Sequence, residues 1–268
     1  MVGYLESNVI KDPKLAEEVQ EIVWRMKKGL PVYLIMFGPT RSGKTTVGLQ
    51  ICHDVSLALG NPFDINNVFF FSDKLRGYAH KKVNYCFQLD EASYNLMSAD
   101  RQGKEQLYMQ QYMNTAAKYG QLIVICMPHL EQLKASIIKD FHSIGIEMYF
   151  RVDKYKRNGR QEKYLRRVWR CWNNKQLNYI YDCKKKNLWV KNIYCSKEGD
   201  ARKDLSFMDI EKYESMKDDA IDSIGPKEAS SRDQWVLNAL ASGLKQREVA
   251  KIFGISLSLV RHIVAENK

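Results

Sequence analysis

What the chain lacks narrows it first. No apolar run comes near the roughly 20 residues that a bilayer core demands, and the opening stretch MVGYLESNVIKDPKLAEEVQEIV carries charge within ten residues. Neither a spanning helix nor a secretory leader fits that pattern, so a soluble cytoplasmic protein is the expectation. The six cysteines form no CxxC pair, and Cys86 and Cys126 lie inside apolar, strand-like runs. Reduced, buried thiols are therefore expected in place of a disulfide framework. The even spacing of Cys171, Cys183 and Cys195 has no neighbouring histidine, which argues against a metal site. There is also no internal repeat, no low-complexity tract and no nuclease-type acid cluster.

What is present begins with 268 residues, 45% of them hydrophobic. That is enough for one α/β domain of roughly 200 residues and a small appendage. The net charge is +11, and it is concentrated: residues 151–191 hold fourteen Lys or Arg against three acids, so the rest of the chain is balanced.

Asp12 as N-cap, Pro13 at the first helical position and apolar residues from Leu15 to Met26 on one face predict an amphipathic helix ending near Gly29. VYLIMF (32–37) is short and continuously apolar, as a strand buried on both faces requires. Apolar stretches at 67–72, 84–92 and 121–127 alternate with helix-length segments, the pattern of βαβ units and a parallel sheet. Beyond EQLKASIIKDF, read as a helix, the stretches GIEMYFRV, EKYLRRVWRCW, KQLNYIYD and NLWVKNIY read as four successive strands of an antiparallel extension. A charged helix near 207–222 and the linker SIGPKEASSRD follow.

Directly behind VYLIMF stands FGPTRSGKT, with Gly38, Gly43, Lys44 and Thr45 satisfying GxxxxGK[ST] between a strand and a helix. Gly38, Pro39, Thr40, Arg41, Ser42 and Gly43 would turn backbone N–H groups towards a phosphate at a helix N-terminus. Lys44 would contact the β and γ phosphates of ATP, Thr45 would ligate Mg²⁺, and Thr46 would start the helix. The bland alternative is a chance match in a glycine-containing turn. At the end of YCFQLDEA, Asp90 would hold Mg²⁺ and Glu91 would polarise the attacking water as general base; a helix N-terminal acidic pair is the alternative. Two acids favour hydrolysis over kinase chemistry, and no lid signature marks a phosphoryl acceptor site. An arginine must neutralise transition-state charge, commonly from a neighbouring subunit. Arg101 and Arg151 are the candidates, each of which could instead be a solvated charge.

The order of phosphate loop, FQLDEA, long helix and GQLIVICMPHLEQLKASIIKDFHSIGIEMYFR resembles the HerA/FtsK branch of P-loop ATPases, including zonula-occludens-toxin-like and archaeal or viral DNA-pumping members, over roughly residues 30–152. The resemblance implies a RecA-like core with a parallel sheet, ATP hydrolysis with Mg²⁺, a homo-oligomeric ring, a hexamer by that resemblance, and DNA as the substrate moved. The family places a polar sensor, usually glutamine, near the end of the strand after the acidic one. This chain has Met127, Pro128 and His129 there, with His129 as the candidate sensor or a packing residue.

The excess charge of 151–191 is interleaved with aromatics, and strand alternation sets Arg166 opposite Arg167 and Trp169. Arg166, Arg167 and Arg170 are candidate phosphate-backbone contacts; an acidic or viral partner protein is the other ligand such a surface suits. Most of the aromatics read as the core of the extension. GLKQREVAKIFGISLSLVRHIV (243–264) resembles a helix-turn-helix. Ala250 would sit where two helices touch, Gly254 in the turn, and Val249, Ile252, Ile255, Val260 and Ile263 in a small core, with Ser256 capping the second helix. Ser258, Arg261 and His262 would meet DNA from the second helix, with Arg247 near the backbone. The expected organisation is an α/β ATPase core (1–150), a basic β extension with closing helix (151–224), a linker (225–231) and a small all-α DNA-binding domain (232–268). The function expected is that of a DNA translocase of a virus or mobile element; the alternative is an ATP-switched regulator of transcription or replication initiation.

Overall fold

Asp12 opens the first helix as its sequence demands, accepting the N–H of Leu15 at 3.0 Å, and α1 (Pro13–Lys27) buries Leu15, Val19, Ile22, Val23 and Met26. The computed structural model of the chain describes residues 9–90, 99–157, 160–190, 193–202, 204–223, 236–237, 239–240, 244–253 and 255–266. They fall into two units, Met1–Asp218 and Asp219–Lys268.

The first unit is built on one seven-stranded sheet in the order β2-β3-β4-β1-β5-β6-β7. β1 (Val32–Phe37) runs parallel to β4 (Leu122–Met127) on one side and β5 (Ile144–Arg157) on the other. Beyond β4 lie β3 (Cys86–Leu89) and the two-residue β2 (Val68–Phe69), both parallel. The antiparallel strands β6 (Arg160–Trp172) and β7 (Lys197–Asp200) complete the other side. This is a mixed α/β, mostly parallel architecture, consistent with a RecA-like core.

Strand alternation explains why β1 is apolar throughout. Tyr33, Ile35 and Phe37 face a core shared with α3 (Ser72–Ala79), α4 (Ala99–Ala116), α5 (Ala135–Lys139) and α6 (Asn174–Lys185). Val32, Leu34 and Met36 face the opposite core, shared with α1 and α2 (Lys44–Leu59). A strand covered on both faces has little place for a polar group that is not hydrogen-bonded. Trp169 of β6 is completely buried in this second core, and side chains of its size anchor such layers at about 2–3 kcal/mol each. The parallel strands all end at one edge, where ligands of open α/β sheets sit.

The extension differs from expectation in two places. KQLNYIYD is helix α6, not a strand: Asn173 and Gln176 form a reciprocal capping box, and Leu177, Ile180 and Tyr181 share the buried face. The aromatic alternation at Tyr179 and Tyr181 imitates a strand, but the cap and the i, i+3, i+4 spacing decide. NLWVKNIY forms no strand among the described residues, and its Trp189 and Tyr194 are 86% and 88% exposed; the third strand comes later, as β7. EQLKASIIKDF likewise yields only a 3-10 turn and the short α5. The charged helix is α7 (Ile210–Ser223). All six cysteines are free thiols, and burial pushes Cys86 and Cys171 up to about 12, so they stay protonated at neutral pH.

In the second unit, α8 (Gln246–Phe253) and α9 (Leu257–Glu266) pack around Val236, Val249, Ala250, Val260 and Ile263. Ser256 accepts the N–H of Leu259 at 3.2 Å as the expected cap. Ile252 is not part of this core: it is 63% exposed. Gly254 and the linker at 225–231 lie outside the described residues.

Candidate nucleotide site

The loop between β1 and α2 is set by glycines that no other residue could replace without distortion. Gly38 has φ +134°, and a Cβ on it would stand 2.0 Å from the Met148 carbonyl oxygen. Gly43, at φ +98°, caps α2 in the left-handed region. A second close approach escaped the sequence reading: a Cβ on Gly48 would meet Gln88 Oε1 at 2.5 Å, so Gly48 lets α2 lie against β3. The loop thereby stays fixed above the sheet edge. Ser42 is fully buried and its hydroxyl has no hydrogen-bond partner among the described residues. Lys44 Nζ donates to the carbonyl oxygens of Gly38 at 2.9 Å and Pro39 at 2.8 Å, folded back over the loop.

Across the gap stands Asp90, completely buried, just beyond β3. Its backbone N–H donates to Phe69 O at 2.7 Å, which continues the β2–β3 pairing and aims the side chain at the loop. The Thr45 hydroxyl donates to Asp90 Oδ1 at 2.7 Å. The Tyr213 hydroxyl, from α7, donates to Asp90 Oδ2 at 2.5 Å. Burial first, and then the charge of Asp90, push the Tyr213 phenol far above its usual range, so it remains a donor.

Loop and acid share a cavity of about 450 Å³. Thr40, Arg41, Gly43, Lys44, Thr45 and Thr46 form one wall, Asp90 and the β4 end, Cys126 to Pro128, another. The third wall brings cations that sequence spacing did not assign to this place: Arg167 of β6, Arg202 and Lys217. The chemistry of these groups fits a nucleoside triphosphate, through the glycine cradle, the unpartnered Ser42 hydroxyl and the Lys44 ammonium. The paired oxygens of Thr45 and Asp90 fit a small divalent cation such as Mg²⁺, which takes hard oxygen ligands.

The other expected site residues are dispersed. Glu91 lies outside the described residues, and Arg101 falls on α4 with its side chain outside them. Arg151 does not line the cavity; its guanidinium is paired with Glu198 of β7. Arg170 pairs with the same carboxylate at 2.8 Å and lies over the Tyr149 ring, while Arg166 pairs with Asp153 at 3.1 Å and Asp200 at 3.2 Å. Burial alone would raise the Glu198 carboxyl, but hydrogen bonds from Arg170, Tyr149 and Arg151 outweigh it and hold it below its ordinary value. The cationic face read from the strand pattern is therefore neutralised in part by β7. His129 stands beside Glu131 at 3.5 Å and is not among the cavity-lining residues. In the second unit Arg247, Ser258 and Arg261 are exposed, with Arg247 and Arg261 lining one open groove; the side chain of His262, on α9, is outside the described residues.

The strand, loop and acid define a P-loop protein of the mixed α/β class. No family model matches the sequence, and no curated protein matches it. Among solved structures, the chain is similar to the FIGL-1 AAA domain at 17% identity, covering 53% of this chain and 59% of that one with a TM-score of 0.37. It is also similar to the flagellar accessory protein FlaH from Methanocaldococcus jannaschii at 14% identity, covering 57% and 84% with a TM-score of 0.30. The chain thus spans about three-fifths of the first of these. Likeness this slight carries no statement about activity.

Proposed function

We propose that this chain hydrolyses ATP with Mg²⁺ and uses the cycle to move DNA, as the motor of a packaging, transfer or segregation system of a virus or mobile element. One observation carries the ATPase half: Thr45 Oγ1 and Asp90 Oδ1 meet at 2.7 Å beside the Lys44 ammonium and the Gly38–Thr45 cradle. Lys44 would hold the terminal phosphates, and Thr45 and Asp90 the metal, whose charge would offset that of the triphosphate. Glu91, next in sequence to Asp90, is the proposed base for the attacking water.

The DNA half is supported by charge and by the second unit. With Arg151, Arg166 and Arg170 engaged by acids, the exposed cations of the extension include Lys154, Lys163, Lys175 and Lys186; these suit a phosphate backbone without reading bases. The α8–α9 pair, with Arg247, Ser258 and Arg261 exposed, suits duplex DNA in the manner of a helix-turn-helix. A homo-oligomeric ring is part of the proposal, by resemblance to DNA-pumping ATPases.

The second reading, an ATP-switched regulator, is favoured by the same α8–α9 unit, since a motor that ignores sequence has little use for a base-reading helix. ATP turnover separates the two. A motor is stimulated in proportion to DNA length whatever the sequence; turnover that responds only to one short duplex, or not to DNA at all, overturns the motor reading.

A further inference from the structure

Three arginines of β6 lie within five residues of one another, and their surroundings differ. Arg166 and Arg170 are paired with Asp153, Asp200 and Glu198. Between them, Arg167 points to the opposite face by strand alternation. Its side chain has no ion-pair or hydrogen-bond partner among the described residues, and it lines the cavity of the phosphate loop. Its Cδ lies 3.5 Å from where a Cβ on Gly43 would stand, so the aliphatic stem lies against the loop at Gly43.

The position of Arg167 is fixed from both sides. Its carbonyl oxygen accepts the N–H of Ala201 at 3.1 Å, and Gln50 Nε2 of α2 donates to the Arg202 carbonyl at 3.0 Å. The strand that carries Arg167 is thus tied, through β7 and its exit, to the helix that follows the phosphate loop. The end of β4 lines the same cavity with Cys126, Met127 and Pro128, which offer no strong side-chain donor to a phosphate. A cation there has to come from elsewhere.

We propose that Arg167, of the three arginines that line the cavity (the others are Arg41 and Arg202), is the one that acts in hydrolysis, supplied in cis: it contacts the terminal phosphate of the nucleotide bound by its own chain and neutralises the charge that develops during the reaction. This rests on the ATPase reading above. In the step, a water oxygen bonds to the γ-phosphorus and the bond to the β–γ bridging oxygen breaks. The electron pair leaves on ADP, and the water's protons pass to the released phosphate and to solvent. Arg167 exchanges no proton; it donates hydrogen bonds to oxygens whose negative charge grows.

Two measurements test it. Calorimetric binding of ATPγS and ADP to the full chain is compared for wild type, Arg167→Ala and Arg167→Lys. A charged hydrogen bond to the terminal phosphate predicts a loss of about tenfold or more in ATPγS affinity for the alanine variant, unchanged ADP affinity, and partial recovery with lysine. Equal affinities of wild type and Arg167→Ala for ATPγS overturn the inference, while a wild type that binds neither nucleotide overturns the ATPase reading itself. Second, Lys44→Ala and Arg167→Ala chains are mixed before turnover is measured. A cis arginine predicts no recovery, because no chain then holds a complete site; recovery on mixing shows Arg167 acting on a neighbour and overturns the cis assignment.

Discussion

Tyr213 and Asp90 are far apart in sequence, yet the phenol of one donates to a carboxylate oxygen of the other at 2.5 Å while Thr45 holds the second oxygen. The acid of the phosphate site is therefore gripped from two directions, by the helix after the loop and by α7. Groups that orient a metal-holding carboxylate commonly change metal affinity about 10- to 100-fold when removed. Tyr213→Phe is expected to raise the Mg²⁺ concentration for half-maximal ATP turnover by about tenfold. Because the phenol is held above its ordinary value of 10, its bond to Asp90 is fully present below that pH and lost only as pH rises beyond it. The wild-type Mg²⁺ requirement should accordingly show no step from this tyrosine between about pH 6 and 9. A Mg²⁺ titration of both proteins checks each point.

Lys44→Ala removes the ammonium from the loop mouth. Binding of a fluorescent ATP analogue should weaken by about tenfold or more, with the melting temperature of the nucleotide-free protein changed little, since the Lys44 ammonium bonds the Gly38 and Pro39 carbonyls of its own loop. Undiminished binding would remove the basis of the ATPase reading.

Two glycines separate backbone freedom from close approach. Gly60 ends α2 at φ +72° with nothing within 4 Å of an added Cβ, whereas the Gly38 Cβ would collide with the Met148 backbone. Gly60→Ala is expected to cost about 1 kcal/mol and Gly38→Ala about 2–4 kcal/mol. Chemical denaturation monitored by circular dichroism measures both, and equal costs would contradict the packing of the loop on β5.

Glu198 sits between Arg151 and Arg170. Its folded pKa is depressed below 4.5, so its stabilising effect is complete above that value and fades as pH falls through the lower one. Glu198→Gln should therefore flatten the acid limb of the melting temperature below pH 4.5. The same change frees positive charge on the extension. If the extension holds DNA, affinity for a random duplex should rise and the slope of log affinity against log salt should steepen by about one; an unchanged slope would place the DNA contact elsewhere.

The fold's central part was legible because its signals are local. VYLIMF, the loop behind it and QLIVICM each carry in one short run the apolarity of a strand covered on both sides, and Asp12-Pro13 carries a helix start. The β extension was harder. KQLNYIYD shows two-residue aromatic alternation and helical spacing at once, and only the Asn173–Gln176 cap and the core under Leu177 resolve it. Ile252 fitted the apolar pattern of the C-terminal helices, yet it faces outwards, because Val236, Val249, Ala250, Val260 and Ile263 already fill a core this small.

By itself the sequence determined the phosphate loop and the acid opposite it, since both are fixed by chain order: a turn of small residues after one buried strand, a carboxylate at the end of another. Only the tertiary structure decided which cations line the cavity beside that loop. Adjacent side chains on β6 point to opposite faces, and the carboxylates that claim Arg166 and Arg170 arrive on the neighbouring strands β5 and β7. Arg167, between them, is turned instead to the phosphate cavity, a distinction that no count of charges along the chain can make.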